Sequence, residues 1–121
     1  MAAPRDPSAL LPLTPAMFHV LLALAEDERH GYAIIKDVAI RTAGAVRLSA
    51  GTLYGLVKRL LAEGLIEESR RRPPADEDDE RRRYYRLTSF GRRTLLAEVE
   101  RLERAVELAR ATRGLKSVKV S

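Results

Sequence analysis

The stretch SAGTLYGLVKRLLAEGL, residues 49–65, decides the reading of this chain. Leu53, Leu56, Val57, Leu60 and Leu61 recur at i, i+3, i+4, i+7 and i+8, the spacing of one apolar face on an α-helix. Ser49 is placed to cap the helix at its start, and Gly64 to end it at the position that favours a left-handed residue. Gly51 and Gly55 lie inside the helix on the face opposite the leucines. Each costs about 1 kcal/mol of helix stability relative to alanine. Three readings account for them: they let the helix sit close in a groove, they make room for a neighbouring helix, or they occur in a helix that tolerates them.

The face that carries the glycines also carries Lys58, Arg59 and Ala62, with Thr52 and Tyr54 on its flanks. Ser49, Thr52 and Tyr54 can donate hydrogen bonds to phosphates or base edges, and Lys58 and Arg59 can neutralise phosphate or reach guanine. The N-terminal backbone N–H groups of the helix favour phosphate as well.

Two helices precede this one. Thr14 and Pro15 form a start signal, a hydroxyl cap followed by proline at the first helical position. Met17, Leu21 and Leu24 then make a stripe, flanked by Phe18 and Val20, which predicts a helix ending near Ala25. EDERHG, 26–31, reads as a polar turn. A second helix is predicted from about Gly31 to Thr42, burying Ile34, Ile35 and Val38, with Tyr32 beside its start. Val46 to Leu48 reads as a short extended piece. Residues 1–12, with Pro4, Pro7 and Pro12, read as a flexible arm.

After the third helix, LIEESRRR (65–72) and RRRYYRL (81–87) read as two strands around the polar loop PPADEDDE. The strands carry Arg70, Arg71, Arg72 and Arg81, Arg82, Arg83. A ribbon this basic can follow a phosphate backbone or enter a minor groove, or keep an exposed sheet edge from pairing. The acidic run DEDDE at 76–80 would be repelled by phosphate. Tyr84 and Tyr85 are adjacent on a strand and point to opposite faces, one to the core. Three short helices followed by a hairpin give a mainly α chain with a small β-hairpin (α+β), a winged helix-turn-helix over 13–87 whose wing spans about 66–87. The third helix is the groove-entering element.

Thr88 caps a last helix predicted over Ser89 to Ala111, about 34 Å long. Leu95, Val99, Leu102, Val106 and Ala109 alternate four and three apart, a narrow seam flanked by charges of both signs. Such a seam suggests pairing with a second copy over 88–113, while the first turn, with Phe90 and Leu95, can pack on its own domain. Residues 114–121 read as a frayed tail.

The 121 residues carry 22 Lys and Arg against 17 Asp and Glu, a net charge of +5, which favours an anionic partner. There is no cysteine, which excludes disulfides and thiolate metal sites. His19 and His30 form no metal-binding or triad pattern, and no nucleophile elbow or P-loop is present. Neither an enzyme nor a cofactor or metal is expected. No apolar run is long enough for a membrane span, and the N-terminus is a poor signal peptide, so the expected location is cytoplasmic.

Three stretches in order, HGYAI (30–34), LSAGTLYGLVKRLLAEGLIEES (48–69) and RRRYYRLTSFGRRTL (81–95), resemble the PadR-like transcriptional regulators of bacteria in their short form with a single C-terminal helix. The resemblance covers about residues 13–110. It implies a homodimeric winged-helix protein that binds double-stranded DNA, usually a repressor, with dimerisation through the C-terminal helix and help from the first. The family usually has proline where Gly55 stands, and the acidic wing tip is not typical of it. Some relatives bind planar aromatic effectors between subunits; this chain has no Trp, and no effector site is carried over. The alternative is a winged-helix module that docks a protein partner through its acidic wing and last helix.

Overall fold

The structure, a computed structural model, describes residues 5–70 and 83–115. Helix α1 spans Pro15–Glu26, strand β1 Arg29–His30, helix α2 Gly31–Arg41, helix α3 Ala50–Ala62, strand β2 Ile66–Glu68, strand β3 Tyr84–Leu87 and helix α4 Ser89–Ala111. The three strands form one antiparallel sheet in the order β1-β3-β2.

Each helix begins on a side-chain cap, which satisfies an N–H that the helix itself leaves without a partner. Thr14 Oγ1 accepts from Met17 N at 3.2 Å, His30 Nδ1 from Ala33 N at 3.2 Å, Ser49 Oγ from Thr52 N at 3.1 Å and Thr88 Oγ1 from Gly91 N at 2.9 Å. The helices bury most of the residues their periodicity marks, though Leu61 is exposed and Ile35 and Leu56 are only partly buried. Met17, Val20, Leu21 and Leu24 of α1, Ile34 and Val38 of α2, and Leu53, Val57 and Leu60 of α3 meet Leu65, Ile66, Tyr85, Leu87 and Leu95 in one core. Gly64 ends α3 at φ +73°, a conformation glycine adopts without steric penalty.

The sheet departs from the expectation in two places. EDERHG contains β1, whose Arg29 and His30 pair with Tyr85 and Tyr84 of β3. Two residues are too few to show a period-2 pattern, and their side chains are satisfied locally. Arg29 Nε donates to the Ala23 carbonyl at 2.9 Å, and its guanidinium lies 3.4 Å from Asp37 of α2. Val46–Leu48 joins no strand; it belongs to the turn into α3. In the hairpin, β2 pairs with β3 from Ile66↔Leu87 to Glu68↔Tyr85, and Ser69 N extends the ladder to Tyr84 O at 2.8 Å. Arg71, Arg72, Arg81 and Arg82, together with the acidic run 76–80, lie outside the described residues.

The stretch read as a flexible arm is docked from Arg5 onward. Pro7–Leu10 is a 3-10 turn packed against α4, and Leu10 and Leu11 cover the core. Arg5 Nη1 donates to the Glu63 carbonyl at the end of α3 at 2.5 Å, and its guanidinium stacks 4.2 Å over the Phe90 ring. Just beyond, Leu13 N donates to the buried Glu98 Oε2 of α4 at 2.7 Å. Proline content suggested looseness; aliphatic cover and these anchors fix the segment instead.

Helix α4 is joined to the sheet without a loop. Thr88 N donates to Leu65 O at 3.1 Å while its hydroxyl bonds Gly64 O at 2.6 Å. A Cβ on Gly91 would fall 2.0 Å from Leu65 O, so only glycine permits this approach.

Candidate nucleic-acid interface

The open side of α3 is built by what the helix does not bury. With Leu53, Val57 and Leu60 in the core, Gly51, Thr52, Gly55, Lys58, Arg59 and Ala62 are exposed. Among the described residues no atom lies within 4 Å of where a Cβ would stand on Gly51 or Gly55. Among the described residues the glycines therefore make room for no neighbouring helix. They leave a strip of bare backbone along the solvent face, with Lys58 and Arg59 one turn further on.

At the start of α3, Ser49 donates to Thr52 Oγ1 at 3.0 Å while capping the Thr52 N–H. The Thr52 hydroxyl keeps its own proton to donate outward. Both side chains stay exposed next to Ala50 and Gly51, at the helix end that favours anions. Tyr32, on the first turn of α2, is 56% exposed. Tyr54 is placed differently. It is half-buried, and its ring lies against the start of α2, with the hydroxyl 2.9 Å from where a Cβ on Gly31 would stand.

At the base of the hairpin, Arg70 and Arg83 are exposed, and Arg83 lies 3.4 Å from the Glu68 carboxylate. Tyr85 is the core tyrosine; Tyr84 is half-buried, its ring edge-on to His30 at 5.4 Å. One basic residue escaped the sequence reading. Arg47, exposed, stands two residues before the α3 cap in the turn from α2. A basic side chain between the two helices of a helix-turn-helix was the signal that could have found it.

The seam on α4 divides in two. Leu95 is buried in the core of its own chain and is not available to a partner, which corrects its assignment to the seam. Val99, Leu102 and Val106, with Phe18 of α1, line an open groove of about 430 Å3 edged by Glu103, Glu107 and Arg110. Ala109 is exposed further along. Leu108, 73% exposed, lies on another face of α4, beside Arg104 and Ala111. Among the described residues no helix is long and apolar enough to cross a membrane.

This architecture has solved counterparts. A transcriptional regulator from Clostridium thermocellum is 28% identical, with a TM-score of 0.64 over 86% of this chain and 90% of that one. RosR of H. salinarum, in a structure described as a complex, is 28% identical over 92% of this chain and 87% of its own, with a TM-score of 0.62. A PadR family transcription regulator from Clostridium difficile R20291 shares the fold at 22% identity, with a TM-score of 0.66 over 78% of this chain and 94% of that one. No curated protein sequence matches significantly. The family described as transcriptional regulator PadR-like matches residues 20–97, from the middle of α1 into α4. With the winged-helix fold and most of the chain matched, this protein belongs to the PadR-like family of transcriptional regulators, which are DNA-binding proteins and not enzymes.

Proposed function

We propose that the protein is a homodimeric repressor that places one α3 per subunit in successive major grooves of a pseudo-palindromic operator. The observation that carries this reading is the bare glycine face of α3, open at Gly51 and Gly55 and followed by exposed Lys58 and Arg59. A helix without side chains on its outer face brings its backbone nearer to base edges than one carrying them. Ser49 and Thr52 approach the phosphates beside the helix start, Tyr32 and Arg47 flank them, and Arg70 and Arg83 begin the wing. In the same reading Arg71, Arg72, Arg81 and Arg82 continue that wing along the duplex. The apolar groove of Phe18, Val99, Leu102 and Val106 takes the second subunit, and two half-sites then bind as one ligand.

The test is a salt titration on duplex DNA selected by the protein from a randomised pool. If roughly 6–10 phosphates are neutralised per dimer, log K falls with log salt at a slope of about −5 to −9. Lys58→Ala and Arg59→Ala each weaken binding and make that slope shallower. A flat salt response, or no enrichment of any sequence from the pool, defeats the reading.

A further inference from the structure

We propose that Tyr54 is a positioning residue, a plate packed against the start of α2 that fixes the angle at which α3 presents its open face, and that position 31 is glycine to admit it. The inference rests on the DNA-binding reading above and assigns one of its residues a different part.

Gly31 is the first residue of α2 and is buried. A Cβ there would stand 2.9 Å from Tyr54 Oη, 3.3 Å from Tyr54 Cζ and 3.2 Å from Leu53 Cδ2. Leu53 is fully buried and cannot retreat. The phenol of Tyr54 therefore rests on the backbone of α2. Tyr85, buried on the central strand β3, is its electrostatic neighbour. Burial, then the Glu68 carboxylate, then the Tyr54 phenol push the Tyr85 phenol up, with Arg83 opposing. Tyr54 is thus within electrostatic reach of the residue paired to Arg29 of β1 and to Glu68 of β2. The next residue of β1, His30, caps α2. The start of α2 and the reading helix thus meet at this one ring. Tyrosine suits such a place: a large rigid body with two side-chain torsions, and a polar tip that tolerates a wet edge.

A ring held in this way can set a helix angle without touching DNA, and the two roles give opposite results in a double substitution. The duplex is the one that the wild type selects from a randomised pool, so a wild type that selects none ends the DNA-binding reading before this test begins. Gly31→Ala drives the added methyl against the ring and tilts α3. Operator affinity falls on the order of tenfold, comparable to the loss of one base-pair contact, while affinity for random duplex holds. Adding Tyr54→Phe removes the oxygen that the methyl meets and raises the operator affinity of Gly31→Ala severalfold. If Tyr54→Phe instead lowers the affinity of Gly31→Ala by the factor it costs in the wild type, the hydroxyl touches DNA and the proposal is wrong. If Gly31→Ala binds the operator like the wild type, it is wrong as well. Should Gly31→Ala fail to fold, Tyr54→Leu serves: discrimination is lost evenly across the half-site if the ring positions α3, and at one base pair if it reads a base, which overturns the proposal.

Discussion

At Gly55 a glycine lowers the stability of its own helix, and nothing among the described residues gains from it. No atom of the described residues lies near its missing Cβ. Gly55→Ala restores helix propensity and restricts the unfolded chain, so thermal or urea unfolding should show a gain of about 0.4–1 kcal/mol. The added methyl faces the DNA in the proposed complex, so operator affinity should fall in the same preparation. A less stable protein whose folded fraction binds normally would show that the glycine serves packing. Gly91 is the opposite case. Its Cβ would meet the Leu65 backbone oxygen at 2.0 Å, which cannot rotate away, and Leu87 Cδ1 at 2.9 Å. Gly91→Ala should cost about 3 kcal/mol, the upper end of ordinary overpacking, and should appear as a large fall in melting temperature. The two residues are indistinguishable as letters in a helical pattern; only their neighbours separate them.

At the scale of elements, long periodic segments were legible and short ones were not. The third helix was readable to the residue, because its cap, its leucine spacing and its terminal glycine agree. The last helix was equally clear from Thr88 to Ala111. Strand β1 was hidden because it consists of two charged or titratable residues held by backbone pairing to a partner more than fifty positions away. The docking of the arm was hidden because its anchors, the Glu63 carbonyl and the Glu98 carboxylate, lie far along the chain. The open side of α3 followed from its own periodicity, whereas the inward turn of Tyr54 depends on Gly31 and could be seen only in three dimensions. Helix α4 carries a prediction of its own. Its outer half buries little within the chain, so Leu102→Glu should leave the fold intact. A charge in the groove with Phe18 and Val106 costs several kcal/mol if it is buried unpaired by a second subunit. Light scattering should then report monomers, and operator affinity should collapse. A variant that stays dimeric means the subunits meet elsewhere.

Across the whole molecule, one buried carboxylate links the arm to α4. Glu98 accepts from the Leu13 N–H and from Arg101 Nε, and these bonds hold its carboxyl below the usual glutamate range against the opposing effect of burial. A depressed carboxylate pKa stabilises the fold above the unfolded value and loses that contribution as pH falls through the folded value. Stability should therefore drop in acid below about pH 4.3, the unfolded glutamate value. Glu98→Gln keeps the shape and loses the charge. It should be weaker than the wild type by on the order of 1 kcal/mol at pH 7, with the gap closing in acid. Urea unfolding at pH 7 and at pH 3.5 checks both halves; a gap that persists at low pH would mean that the charge contributes nothing.

The junction at Thr88 has a mechanical meaning. Strand β3 is the middle strand of the sheet and passes through a single residue into α4. In the proposed dimer, the half that grips DNA and the half that pairs are thus one lever, joined through a single residue. Two subunits paired as proposed would make a caliper whose jaw opening is set at the seat of Gly91 on Leu65. One residue inserted after Thr88 would turn the handle by about 100° and swing any partner seated on it away from the helical phase of its half-site. In the proposed complex, the spacing of the two half-sites would in this way be gauged by the junction of strand and helix.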